Sequence, residues 1–164
     1  MTKSKDKGKY FEDKIAAIVR EILHLRPHEC KRALASGNEA FEYGDVYFSD
    51  PEKFPFVFEC KFHEDWTFSS IFPTLSGKML GFLHEIFPPR IKYRNYFGRD
   101  PFLSCVVFSK AYMPIYCLTI DPVYQAHLSF VQYKQTIIDH DIVYPIYLYD
   151  FKDVLRRFQY ERER

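Results

Sequence analysis

Two short runs rich in Phe, Val and Tyr, residues 41–49 and 54–62, flank the tetrapeptide Asp50-Pro51-Glu52-Lys53. The tetrapeptide has turn chemistry and the runs have the length and composition of strands, so the pattern predicts a β-hairpin. Set into those runs are two carboxylates and an ammonium: Gly44-Asp45 on one arm, Glu59-Cys60-Lys61 on the other. Charges in strands that otherwise read as core need partners or a metal, and such exceptions mark sites. Side chains alternate along a strand, which puts Asp45 on one face with Tyr43 and Tyr47, and Glu59 on one face with Lys61.

The segments around the hairpin predict an α/β chain. From Lys9 to Leu25, Phe11, Ile15, Ile18, Val19, Ile22 and Leu23 recur at helical spacing, and Pro27 closes the segment. Glu12 borders the apolar stripe near its start. Residues 33–40 read as a loop centred on Ser36-Gly37-Asn38. After Lys61, a loop with Trp66 leads to a helix over about 73–87, stopped by Pro88-Pro89. Residues 90–100 are basic and aromatic. Residues 102–109 and 115–120 read as another strand pair, and Asp121-Pro122 as the cap and first turn of a helix to about Gln135. A strand over 143–149 and a C-terminal helix with Val154, Leu155 and Phe158 complete the chain. Without repeats or low-complexity linkers, residues 1–164 read as one domain with short basic tails at both ends.

Composition narrows the function classes. At 164 residues and 47% hydrophobic content, the chain can bury a full core. Its 17 Phe and 13 Tyr exceed what one core needs, so some aromatics should meet an interface or a ligand. The net charge of +1 points to no partner, but Lys3, Lys5, Lys7 and Lys9 cluster at one end and Arg156, Arg157, Arg162 and Arg164 at the other. Such clusters suit phosphate contact, although solvated charge runs are the commoner case. Cys30, Cys60, Cys105 and Cys117 form no CxxC pair, and neither His24/His28 nor Cys60/His63 has a second half, which argues against zinc. No apolar run approaches membrane-spanning length and the polar N-terminus is no signal peptide, so a reduced, cytoplasmic protein is expected.

The carboxylates suit a hard divalent ion. Mg²⁺ takes oxygen ligands and keeps several waters. Asp45 and Glu59 on adjacent strands could share it, with the Cys60 backbone carbonyl as a further ligand and Glu12 completing the site. Lys61, on the same side as Glu59, could orient or help deprotonate an attacking water. There is no nucleophile elbow, Cys-His pair or P-loop, so neither a covalent intermediate nor nucleotide consumption is expected.

The order Glu12 on a first helix, then Gly44-Asp45, then Glu59-Cys60-Lys61 after thirteen intervening residues resembles the PD-(D/E)xK nuclease signature. Gly44 stands where that signature most often has proline. Lys7-Gly8-Lys9-Tyr10-Phe11-Glu12 resembles the Lys-Gly-x-x-x-Glu opening of archaeal and phage Holliday junction resolvases, and Ser36-Gly37 resembles their Ser-Gly loop. Residues 101–108, with Lys110 behind them, continue the likeness. The resemblance implies a restriction-endonuclease-like α/β domain: a central mixed sheet flanked by helices, with an αβββαβ core. It implies an endonuclease that hydrolyses phosphodiesters with Mg²⁺, or Mn²⁺ as substitute, with Glu12, Ser36, Asp45, Glu59 and Lys61 as site residues. The substrate it implies is branched DNA, four-way junctions of recombination and repair, cut by a homodimer. Two other readings remain beside it: a restriction-like or repair nuclease of duplex DNA, and a catalytically silent DNA-binding or assembly module.

Overall fold

The computed structural model describes residues 2–34, 42–62, 66–70, 75–109, 114–124, 134–139 and 142–164. Ser36-Gly37, His63, Pro73 and Lys110 lie outside them.

Helix α1 spans Thr2–Leu23, so Lys5, Lys7 and Lys9 ride on helical turns ahead of the apolar stripe. Phe11, Ile15, Ala16, Val19 and Leu23 are buried on one face. The helix stops before Pro27. His24 takes a left-handed φ of 54° and the Leu25 amide returns to the Arg20 carbonyl at 2.9 Å, the bonding pattern of a helix that turns off its axis. Because α1 begins at Thr2, Glu12 sits in mid-helix rather than near the start.

Strands β1 (Cys30–Arg32) and β2 (Val46–Phe48) form an antiparallel ladder. The main sheet contains β3 (Phe56–Phe62), β4 (Leu103–Ser109), β5 (Tyr116–Thr119), β6 (Lys134–Asp139) and β7 (Ile142–Asp150), in the order β3-β4-β5-β7-β6. β3 and β4 run parallel, Phe56 opposite Leu103 through Phe62 opposite Ser109, and the other neighbours are antiparallel. The sheet is therefore mixed and flanked by helices, as a restriction-endonuclease-like single domain requires.

The expected hairpin is corrected. β2 pairs with β1, and its run touches β3 through a single bridge of parallel sense, Gly44 with Phe58. Side chains, not a ladder, join the two runs: Phe48 packs on Phe54, Phe56 and Phe58 with ring centroids 5.7–6.2 Å apart. The expected turn does form, with the Phe54 amide on the Asp50 carbonyl at 3.0 Å.

Alternation along β3 divides the interior. Phe56, Phe58 and Cys60 join Leu103, Cys105 and Val107 in a core covered by α1 and by α4 (Phe151–Glu163). Each fully buried Phe there stabilises the fold by roughly 1.5–3 kcal/mol. On the opposite face, Val106, Phe108, Leu118 and Leu148 pack against Trp66 and against Met79 and Leu83 of α2 (Gly77–His84).

Two further expectations fail for identifiable reasons. Pro88-Pro89 does not end a helix: α2 closes at His84, and the prolines open α3 (Phe87–Phe97), where the missing amide hydrogens cost nothing. Asp121-Pro122 starts no helix over 121–124, and Lys134-Gln135 belong to β6. The Asp121 carboxylate caps other groups instead, accepting from Arg90 Nη1 at 2.8 Å and from the Ser104 amide at 2.7 Å. Arg90 also donates to Ser104 Oγ, which pins α3 to the start of β4.

Candidate active site

The outer edge of β3, bridged by Gly44, is where Glu12, Asp45, Glu59 and Lys61 meet. Gly44 lies against this edge at φ 84°, and a Cβ there would stand 2.6 Å from the Phe58 carbonyl oxygen. Glycine is thus the residue that lets the Asp45 backbone approach, explaining why it replaces proline here. Asp45 is then fixed twice: its amide donates to Phe58 O at 2.7 Å, and its Oδ2 accepts from the Cys60 amide at 2.8 Å. Its own carbonyl accepts from the Ala33 amide at 2.9 Å, which extends the β1–β2 ladder to the site.

Glu59 projects from the β3 face opposite to Phe58 and Cys60, within hydrogen-bonding reach of Asp45. Burial and the neighbouring carboxylate both push the Glu59 proton affinity up, and burial does the same for Asp45 against the Cys60 amide and Lys61. Two buried carboxylates this close cannot both stay ionised without a positive charge between them. Glu12 reaches the same place from α1. Burial and then the Asp45 charge raise its pKa to about 7, with Arg32 opposing.

Lys61 is on the Glu59 side of β3, its ammonium 5.4 Å from the Phe82 ring and paired with Glu85 at the end of α2. Burial works to discharge Lys61, but Glu85, Glu59 and Asp45 outweigh it and hold the lysine protonated. It is therefore placed to donate and to stabilise negative charge, rather than to take up a proton.

Two clefts meet at Asp45. One, of about 410 Å³, is lined by Glu42, Gly44, Asp45, Glu59, Glu85, Pro88, Pro89 and Lys92. The other, of about 390 Å³, is lined by Lys5, Gly8, Lys9, Glu12, Arg32, Ala33, Leu34 and Asp45. The first is acidic and the second mainly basic, so Asp45 stands where an acidic depression borders a basic one.

Among the described residues no three His, Cys, Asp or Glu side chains form a ready-made metal cage. The donor set nonetheless fits Mg²⁺. That ion is held by one or two carboxylates with several retained waters rather than by an all-protein cage, and Asp45 with Glu59 supplies hard oxygens short of positive charge. The Cys60 carbonyl adjoins them in sequence, while its thiol is buried and protonated, with no role at the surface.

Of the residues expected at the site, Glu12, Asp45, Glu59, Cys60 and Lys61 come together, and Ser36 lies outside the described residues. Sequence reasoning missed Glu85, Arg32, Glu42 and Lys92. Only tertiary packing brings Glu85 and Lys92 to β3; Lys92 was visible in the basic, aromatic stretch 90–100, but nothing in the sequence ties it to Asp45. Arg32 was not singled out either, because its strand, Cys30–Arg32, is only three residues long.

The profile of the family described as Phage putative PDDEXK endonuclease matches residues 3–161, and the chain belongs to that family. Neither a curated protein nor a solved structure matches it. That membership makes the chain a nuclease of the PD-(D/E)xK superfamily, and the mixed α/β fold is consistent with it. No helix among the described residues is long and apolar enough to cross a membrane.

Proposed function

We propose that the chain is a Mg²⁺-dependent DNA endonuclease, with Mn²⁺ as substitute. One observation carries this reading: Asp45 and Glu59 share a charge-deficient corner at the edge of β3, with Glu12 on one side and the Lys61 ammonium on the other. Asp45, Glu59 and the Cys60 carbonyl would hold the ion. When bound, a divalent cation supplies polarisation of the phosphoryl oxygen and acidification of a water.

The rest belongs to the chain's own groups. Lys61 donates to the attacking water or to a non-bridging phosphate oxygen, and Glu85 keeps it charged and aimed. Glu12, with a pKa near neutrality, accepts a proton as the water attacks, or helps to hold a second ion. Arg32, Lys5 and Lys9 receive neighbouring phosphates in the basic cleft. A non-cutting module would have no use for such a cluster of like charges, which disfavours the silent reading.

The substrate we infer is branched DNA, most specifically the four-way junction, cut by a homodimer whose two sites match the near two-fold symmetry of a junction. Support comes from the Lys7-Gly8 opening ahead of Glu12 and from the Ser36-Gly37 motif, both similar to junction resolvases. The test is incubation with labelled four-way junctions, flaps, duplexes and single strands under Mg²⁺, Mn²⁺, Ca²⁺ or EDTA. Cutting of junctions in Mg²⁺ and Mn²⁺ alone is expected. Preference for perfect duplex would replace the resolvase reading with the restriction-like one, and full activity in EDTA would end the metal mechanism.

A further inference from the structure

The site chemistry leaves the outer surface of α3 unexplained. There Ile91 and Tyr96 are 53% and 60% exposed. With Tyr43, Pro88, Lys92 and Asn95 they line a groove of about 480 Å³. Pro88 and Lys92 also line the acidic cleft of Asp45 and Glu59, so the groove opens beside the carboxylates. Its character differs from theirs, because these lining residues include no acid.

The groove is built on a fixed base. Tyr43 is 3% exposed, its ring edge-on to Tyr93 with centroids 5.2 Å apart and 5.9 Å from that of Phe97. Among the described residues its buried hydroxyl has no hydrogen-bond partner. Lys92 Nζ lies 5.4 Å over the same ring and donates to the Glu42 carbonyl at 2.9 Å, which holds the cation where the two depressions join.

We propose that this groove is a nucleobase subsite: an unpaired base beside the scissile phosphate stacks on Tyr96, and Lys92 contacts the intervening phosphate. The proposal rests on the nuclease reading and narrows its substrate to DNA with a splayed or single-stranded nucleotide next to the cut. The chemistry is complementary on each count. An exposed aromatic beside apolar Ile91 and Pro88 suits a base face, which a perfect duplex keeps covered by its own stacking. The Asn95 amide offers a donor and an acceptor to a base edge, and Lys92 offers a charge to the backbone. A strand whose phosphate sits over Asp45 has this groove as its neighbour, since Pro88 and Lys92 belong to both depressions.

The test compares oligothymidylate with an abasic strand of equal length, hence equal charge, by gel shift in Ca²⁺ so that no cutting is needed. The wild-type protein should bind the thymidylate roughly tenfold more tightly, the difference being base stacking. Tyr96→Ala should erase most of that difference, Ile91→Ala part of it, and Tyr96→Phe little. Equal binding of the two strands by the wild type would overturn the proposal, as would a preference that survives Tyr96→Ala. If Tyr96→Ala instead lowers the sedimenting mass and leaves the base preference intact, the groove is a contact between copies of the chain and the proposal falls. Failure of the nuclease reading is visible separately, as wild-type protein that cuts none of the DNAs in Mg²⁺ or Mn²⁺.

Discussion

Lys61 Nζ is paired with Glu85 Oε2, so the cation of the Glu-x-Lys motif is held by a carboxylate at the end of α2 that belongs to no motif. Glu85 also adds negative charge to the surroundings of Asp45 and Glu59.

If Glu85 positions Lys61, the two residues act as a unit. Lys61→Ala should lower kcat by at least about a hundredfold and Glu85→Ala by about tenfold, the range in which a displaced polar group costs catalysis. The double variant should be no slower than Lys61→Ala alone. Glu85→Ala should also shift the basic limb of the pH–rate profile downward, because Lys61 loses the partner that keeps it protonated. Independent, additive losses would separate the two.

Asp45→Asn should abolish cutting yet stabilise the metal-free protein, because it removes a buried carboxylate whose ionisation is opposed by burial. A gain on the order of 1 kcal/mol would raise Tm by roughly 2–4 °C for a domain of this size. The stabilisation that Mg²⁺ or Ca²⁺ gives the wild type should vanish in the same variant. Thermal melts with and without cation check the two stability outcomes and a cleavage assay the first, and a variant that melts lower and still responds to cation would contradict the assignment.

Glu12 supplies a signed pH test. Its pKa is about 7 in the folded protein against an ordinary 4.5, with burial as the main cause. Between those values the folded state holds a proton that the unfolded chain has lost, so metal-free stability should fall as pH rises from about 4.5 through 7. Asp45 and Glu59 act in the same direction. Glu12→Gln should flatten that fall and lower the cleavage rate by orders of magnitude. A mere mid-helix surface acid would alter neither, as urea titrations at several pH values with parallel cleavage assays would reveal.

Gly44→Ala tests the close approach at β3. The added methyl meets the Phe58 carbonyl and φ is positive, so strain of about 1–3 kcal/mol is expected, together with displacement of Asp45. Urea denaturation should show the loss, and cleavage should drop further than the stability change explains.

Arg90→Met tests the clamp between α3 and the sheet. It leaves the Asp121 carboxylate buried without its cation, a cost of about 3–5 kcal/mol. Pairing it with Asp121→Asn should recover much of that loss, measured by the same denaturation.

The chemistry of this protein was more legible in its sequence than the geometry that delivers it. Asp45, Glu59 and Lys61 stood out because charges in apolar runs demand compensation, and they do converge. The hairpin reading failed because the residues that would form its ladder are drawn elsewhere: Val46–Phe48 pair with Cys30–Arg32, leaving Gly44 to touch β3. The proline pair was misread because Pro88-Pro89 stops one helix and opens another equally well, and local sequence does not say which. Asp121 was misread because a carboxylate before proline resembles a helix cap until Arg90 arrives from elsewhere in the chain. Glu85 gave no signal and Lys92 stood out only as part of the basic, aromatic stretch 90–100, since their roles depend on where α2 and α3 pack.

The parallel pairing of β3 with β4 has a consequence for how such enzymes diversify. Parallel neighbours cannot be joined by a tight turn and need a long crossover, and here the crossover contains α2 and α3. Asp45 and Glu59 sit at the β3 edge, whereas Glu85, Lys92, Asn95 and Tyr96 ride on the connection. Exchange of the connecting segment would therefore leave Asp45, Glu59 and Lys61 in place while replacing both the groove residues and Glu85, so a chimera carrying another relative's crossover has to restore an acid opposite Lys61.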